Sequence, residues 1–344
     1  MVTIAVTGDV LLHSPLWAQA RRDAAGTGSR TMDFAPLLAG VKPYVSAADL
    51  AICHLETPLA NRSGPFFGYP SFSSPPQIAP ALKAVGYDAC STASNHTFDQ
   101  GAAGIKRTLD NLDAVGLAHA GSARSLSESR RITLMRANGV RVALLSYAYG
   151  WNGYDYPGGD QWRANRIDKA RIIADAGRAR AGGAQIVVVS MHWGTEYRQE
   201  PSAQQLDLAP DLARSGLIDL IVSHHAHVVE PIQRIGTIWV IYGLGNLLAE
   251  HSTPGAANEE GLLARFTFTR GRAGRFTATS AEYVPLLMTK DPPLRVLDIQ
   301  SALRSGRYGS STERRLRQAL TRTTRVVMSL GGAKSGLRAA APPQ

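Results

Sequence analysis

The sequence predicts an α/β protein with mixed sheets, and three observations lead there. Short β-branched or apolar runs each end in polar residues, as parallel strands do when functional side chains gather at their C-terminal ends. Helical periodicity fills the intervals between them. Two hairpin signals break that alternation, so the sheets cannot be purely parallel.

The strands come in order. Val2–Val6 precedes Thr7-Gly8-Asp9, Leu50–Cys53 precedes His54-Leu55-Glu56, and Tyr87–Ser91 precedes Ser94-Asn95-His96. Gln185–Ser190 precedes His192-Trp193-Gly194, and Leu220–Val222 precedes Ser223-His224-His225-Ala226-His227. Helical patterns span Ala102–Val115, with apolar Ile105, Leu109, Leu112 and Val115, and Asp168–Ala181. One hairpin turns at Asn138-Gly139 between Arg131–Arg136 and Arg141–Tyr147; another joins Leu262–Thr269 to Arg275–Tyr283 through a Gly-rich turn. Pro65, Pro70, Pro75, Pro76 and Pro80 make residues 60–80 a long loop of the kind that covers a site, and Gly150–Asp160 reads as a second rim. No repeat of solenoid period is present.

At 344 residues the chain exceeds the usual single-domain mode of about 100–150, but α/β folds with one large core run this long. The expected division is a main domain over 1–290 and a basic helix with a flexible tail over 291–344. Hydrophobic content of 44% and charged content of 19% suit a soluble globular protein. No apolar run approaches the roughly 20 residues needed to cross a bilayer. The N-terminal stretch lacks a signal peptide's basic segment and cleavage site, so a cytoplasmic protein without a membrane anchor is expected. Cys53 and Cys90 lie in apolar segments and are expected as buried free thiols. The net charge of +10 is concentrated at the end: residues 301–344 carry +8, leaving +2 for residues 1–300. Nucleic acid is therefore not an expected partner.

The strand ends supply Asp9, Glu56, Asn95 with His96, His192, and the cluster His224, His225 and His227. Oxygen and imidazole nitrogen without thiolate is the ligand set of Mn, Fe, Zn or, where oxygen dominates, Ca. Ligands at the C-terminal ends of separate strands can converge on one crevice. In an extended backbone His225 and His227 would point the same way and His224 the other, which makes the first two the expected ligand pair.

Taken together, Thr7-Gly8-Asp9-Val10, His54-Leu55-Glu56-Thr57-Pro58-Leu59, Ala93-Ser94-Asn95-His96-Thr97-Phe98-Asp99-Gln100-Gly101, His192-Trp193-Gly194-Thr195-Glu196, His225-Ala226-His227 and Tyr242-Gly243-Leu244-Gly245-Asn246 resemble the motif series of the CapA/PgsA family. That family is named for capsule and poly-γ-glutamate synthesis and belongs to the calcineurin-like metallophosphoesterase superfamily. The resemblance runs from residue 3 to about 287. It implies a four-layer α/β/β/α sandwich with the site at one edge of two sheets. It also implies Asp9, Glu56, Asn95, His192, His225 and His227 as ligands of a divalent metal ion, and His96 as an acid/base oriented by Asp99, with Asp9 and His225 as further catalytic candidates.

Three departures bear on the reaction. Phosphoesterase relatives carry a histidine two residues after the first aspartate, where this chain has Leu11; the nearest histidine is His13. Glu56 replaces an aspartate of the superfamily, and His54 stands where CapA relatives usually have asparagine. One ion or two is left open by these residues, and two-metal phosphoryl chemistry is disfavoured. The resemblance extends to a soluble branch that epimerises lasso-peptide precursors, and a peptide or acidic polypeptide is the expected substrate. Inverting a peptide Cα needs a base on one face, an acid on the other and positive charge for the enolate, which histidines and a metal can supply. Epimerisation is the favoured expectation; hydrolysis of an amide, γ-glutamyl or phosphoester bond, or poly-γ-glutamate handling, are the alternatives.

Overall fold

The computed structural model describes residues 1–26, 31–250, 255–272 and 274–341. In chain order the strands are β1 (Val2–Val10), β2 (Leu50–Leu55), β3 (Ala89–Ser91), β4 (Ala118–Ala120), β5 (Thr133–Ala137), β6 (Val140–Ala148), β7 (Ile186–Trp193), β8 (Leu220–His225), β9 (Ile232–Ile235) and β10 (Ile238–Ile241). They continue with β11 (Asn246–Leu248), β12 (Glu260–Arg270), β13 (Phe276–Met288), β14 (Val296–Asp298) and β15 (Leu337–Ala339). One sheet runs β14-β13-β12-β1-β2-β3-β4, with β11 beside β1 and β15 beside β13; the other runs β5-β6-β7-β8-β10-β9. Both are mixed, as the sequence predicts, because β12 is antiparallel to β1 and β5 to β6 while the site-bearing pairs are parallel.

Side-chain parity sorts these strands into layers. Val2, Ile4 and Val6 of β1, Ile52 of β2, Val188 of β7 and Val222 of β8 share one core with Phe266 and Phe268, which fills the space between the sheets. The alternate residues face outward: Ala5, Ala51 and Cys53 pack with Leu16, Leu82 and Leu109 from the helices Ser14–Gly26, Ile78–Val85 and Gly101–Ala114. Val187, Val189 and Ile221 pack with Ile172 and Leu212 from the helices Lys169–Ala181 and Ala203–Arg214. Strands buried on both faces need near-continuous apolar runs, which is why the sequence shows them. The result is the expected helix/sheet/sheet/helix order. Asn138 and Gly139 both adopt positive φ in the first hairpin, as its sequence demands.

Two expectations are corrected. Cys53 and Cys90 form a disulfide, because β2 and β3 pair in parallel with these two residues in register and their Cα atoms 4.5 Å apart. The described residues after 291 are packed rather than tail-like. Leu316, Ala319, Val326 and Val327 of the helix Ser310–Val327 are buried, and Leu337 enters the core between the sheets as β15 joins β13. Residues 342–344 lie outside the described residues. No helix among the described residues is long and apolar enough to cross a membrane.

Candidate metal and proton-transfer site

Register brings the site together. Asp9 is the cross-strand neighbour of His54 on β2 and of Asn246 on β11, and His192 on β7 is the neighbour of His224 on β8. Gly8 permits the close crossing beside Asp9: a Cβ there would lie 2.0 Å from the carbonyl oxygen of Gly245, which itself accepts from the Asp9 amide at 2.9 Å. The ends of the two sheets then face one another, with the His54 ring stacked on His224 at 4.0 Å and tilted against His192 at 5.0 Å.

Asp9 is the hub. Its Oδ1 lies 3.0 Å from His224 Nδ1, its Oδ2 lies 3.0 Å from His227 Nδ1, and the His225 amide donates to Oδ2 at 3.3 Å. Burial opposes its ionisation, but the hydrogen bonds and charges of His224 and His227 outweigh this and hold its pKa well below the ordinary range. Glu56 is fully buried, and neither carboxylate oxygen has a hydrogen-bond partner; His227 Nε2 lies 3.6 Å and His192 Nε2 4.0 Å from its Oε1. Burial pushes its pKa well above the usual value, opposed chiefly by His227. For His227 burial acts downward, but Glu56 and Asp9 prevail and raise its pKa to about 9.

Three further histidines of the site are shifted the other way. Burial, reinforced by neighbouring histidines, holds His54 and His192 well below the ordinary value, and burial with His227 lowers His225 to about 3. Ser91 Oγ, His54 Nδ1 and Nε2, His192 Nδ1 and Nε2, and Asn95 Oδ1 form a chain with links of 2.8, 3.0 and 2.9 Å. His96 Nδ1 sits 2.7 Å from Asp99 Oδ2, which also accepts from the Phe72 amide at 2.7 Å, so the carboxylate fixes the ring from its far side. Asn95, His96 and His227 line a cleft of about 740 Å³ closed on one side by Tyr69 and Phe72 of the 60–80 loop.

All the residues singled out in the sequence, Asp9, Glu56, Asn95, His96, Asp99, His192, His225 and His227, meet here, but the histidine cluster is arranged differently. His225 and His227 both have positive φ, 93° and 57°, so the strand alternation that paired them does not hold. His224, expected as a bystander, and His227 reach Asp9, whereas His225 lies against the Tyr149 ring and 4.0 Å from Glu196. Three groups have ligand atoms close enough to share an ion: Asp9 with Glu56 and His227, Asp9 with His54 and His224, and Glu196 with His225 and His227. Sequence reasoning noted His54 only as a departure. Its spacing from Glu56, two residues along an extended chain, was the signal that both sit on one side. Asn246, also unassigned, has its Oδ1 3.1 Å from His227 Nδ1 and donates through Nδ2 to the carbonyls of His227 and Asn258. Leu11 fills its position with apolar bulk, packed against Phe72 and Ala249.

A helix/sheet/sheet/helix protein with buried carboxylates and imidazoles at one sheet edge has the donor set of a divalent-metal site. This chain belongs to the bacterial capsule synthesis protein family PGA_cap, whose model matches residues 3–251. The PGA biosynthesis protein CapA of Bacillus subtilis is 30% identical over 61% of this chain and 55% of its own length. The capsule biosynthesis protein CapA of Bacillus anthracis is 28% identical over 60% and 52%. The chain thus spans about half the length of these curated relatives. Among solved structures, the calcineurin-like phosphoesterase YfkN of Bacillus subtilis aligns with a TM-score of 0.48 at 15% identity, over 94% of this chain and 97% of that one. The 5'-nucleotidase precursor of Thermus thermophilus aligns with a TM-score of 0.47 at 14% identity, over 96% and 59%.

Proposed function

We propose that this chain is a metal-dependent enzyme that moves protons on a polypeptide, with peptide Cα epimerisation as its reaction. The observation that supports this reading is the His96–Asp99 pair, oriented at 2.7 Å on the wall of the cleft and beside the buried carboxylate–histidine set. A metal ion fits that set: a buried carboxylate with two unpartnered oxygens is costly unless a cation meets it, and Glu56 is such a group. Asp9, Glu56, Asn95, His192, His225 and His227 would hold it, with His54 and His224 in reach. When bound, it would supply the positive charge that an enolate requires.

The residues then divide the work. Asp99 fixes Nδ1 of His96, leaving the other ring nitrogen to take the Cα proton as the C–H bond breaks and its electron pair moves onto the carbonyl. A second group returns a proton to the opposite face of the same carbon, and His225 or His227, gathered around Asp9 and Glu196, is the candidate where it is not the one that holds the ion. The bond order and mass of the peptide are restored with inverted configuration. The apolar packing of Leu11 favours this over two-metal in-line displacement, because a second ion loses a ligand there.

Hydrolysis of an amide or γ-glutamyl bond is the second reading; the relatives named for PGA and capsule biosynthesis support a polypeptide substrate under either. Incubation with candidate peptides in deuterated water separates the two. A gain of one mass unit at the Cα of an intact peptide supports epimerisation; cleavage products support hydrolysis. Full activity after metal removal by a chelator would overturn both.

A further inference from the structure

The hydrogen-bond chain that ends on His192 has two self-consistent proton arrangements. Ser91 Oγ lies 2.8 Å from His54 Nδ1, His54 Nε2 lies 3.0 Å from His192 Nδ1, and His192 Nε2 lies 2.9 Å from Asn95 Oδ1. All four side chains are buried, and burial holds both histidines well below their ordinary pKa, so each ring carries one proton. In the first arrangement the Ser91 hydroxyl donates to His54 Nδ1, His54 Nε2–H donates to His192, and His192 Nε2–H donates to Asn95. In the second the Ser91 hydroxyl turns to the Cys53 carbonyl, 3.4 Å away, and accepts from His54 Nδ1–H. His54 Nε2 then accepts from His192 Nδ1–H. The lone pair of His192 Nε2 is left facing Asn95 Oδ1 and, at 4.0 Å, the unpartnered Glu56 Oε1. Each ring keeps one proton in both arrangements, so the chain reverses without a change of charge.

Only the second arrangement makes His192 a ligand, because a ring nitrogen that carries a proton has no lone pair for a metal. Which nitrogen of an imidazole is free is set by the hydrogen bond that the other one makes. For His192 that bond is to His54, and for His54 it is to Ser91, its cross-strand neighbour in the parallel β2–β3 pair. The serine hydroxyl suits the end of such a chain: it donates in one arrangement and accepts in the other, with the Cys53 carbonyl to take its proton. We propose that Ser91 and His54 are positioning residues that set the tautomer of His192, and thereby its capacity to hold a metal ion. His54 is in reach of Asp9 and His224 but acts through His192, since both of its nitrogens are engaged within the chain. The inference rests on the metal-dependent reading above and adds how one ligand is made competent.

The test combines zinc affinity, measured by chelator competition, with NMR of the nitrogen-labelled histidine side chains of the full chain, in EDTA and with zinc. Signals are assigned with His54→Phe and His192→Phe. Zinc should move the His54 proton from Nε2 to Nδ1 while His54 Nε2 keeps the shift of an unliganded lone pair, and His192 should show Nδ1–H with Nε2 on the ion. Ser91→Ala removes the hydroxyl, and His54→Phe keeps a ring but neither nitrogen; each should weaken zinc about 10–100-fold. Ser91→Thr, which retains the hydroxyl, should bind zinc as the parent does. Should either weakening variant fail to fold, the spectra of the parent still decide. Undiminished zinc affinity in folded Ser91→Ala, or a His54 proton that stays on the same nitrogen when zinc binds, would overturn the proposal and leave the metal-dependent reading standing. Zinc bound with the proton shift in His54, but turnover unaffected by EDTA, would count against the metal-dependent reaction alone.

Discussion

Glu230 offers a quantitative check on how the interior around the site is held. It lies three residues beyond His227, fully buried, with Oε2 accepting from Gln205 Nε2 at 2.9 Å and Oε1 without a partner. Burial raises its pKa to about 9 from an ordinary 4.5, opposed by the Gln205 hydrogen bond. The native state therefore keeps a proton that the unfolded chain gives up above pH 4.5. Glu230 costs nothing at acid pH, and folding loses about 1.36 kcal/mol per pH unit as pH climbs from the unfolded pKa to the folded one. At pH 7 the accumulated loss is about 3 kcal/mol, and it grows until about pH 9. Glu230→Gln replaces the protonated acid by a neutral isostere and exchanges one unpartnered donor for another. Urea denaturation should find the variant equal to the parent near pH 4.5 and about 3 kcal/mol more stable at pH 7, a rise of about 4 °C in Tm for a chain of this length. Turnover should be unchanged, because Glu230 does not line the cleft. A stability difference that does not vary with pH between 5 and 8 would refute the argument, since it would mean the carboxyl ionises alike in both states.

Other contacts of the molecule, and the site itself, carry further expectations. The Cys53–Cys90 bond closes a separation of 37 residues, and Cys53→Ala with Cys90→Ala should cost about 4 kcal/mol by loop-closure entropy; thiol titration of the denatured, unreduced protein should find no free cysteine. Glu260 is buried between Arg315 and Arg322, at 2.6 Å from Arg315 Nη1 and 2.9 Å from Arg322 Nε. Arg315→Ala with Arg322→Ala, which strands the carboxylate, should destabilise by about 3–5 kcal/mol, more than Glu260→Gln does; equal costs in urea titrations would contradict the burial argument. Asp9→Ala or His227→Ala should lower bound metal by elemental analysis. His96→Ala should abolish turnover with metal retained, and Asp99→Asn should reduce it about 10–100-fold; full activity in His96→Ala removes that residue from the reaction.

The parts legible in the sequence were those set by local pattern. A parallel strand buried on both faces must read as an apolar run, and its polar C-terminal end must then stand out, so Asp9, Glu56, Asn95 and His192 announced themselves without any knowledge of topology. The loop was legible for the same reason over residues 60–77, where it supplies Tyr69 and Phe72 to the cleft, whereas Pro80, read as part of it, lies in the first turn of the helix Ile78–Val85. What sequence could not carry was register. Cysteines 37 residues apart become neighbours only because β2 and β3 align Cys53 with Cys90. Residues 337–339 find their place because Leu337 enters the core as β15 pairs with β13, with Arg338 beside Glu282. The histidine cluster lay at the boundary between the two. Alternation is a sound rule while the backbone stays extended, but His225 and His227 leave the extended region, and non-glycine residues do so at a cost that tertiary contacts must offset. Those contacts include Asp9 on the His225 amide and on His227 Nδ1, from the other sheet, Asn246 Nδ2 on the His227 carbonyl, and the Tyr197 amide on that of Ala226. The turn that places the third histidine is thus held in part by the carboxylate it serves, so Asp9→Ala should disturb the backbone at 225–227 as well as the charge, and amide exchange there should rise in that variant while the Asn138-Gly139 hairpin, set by its own residues, stays as it is.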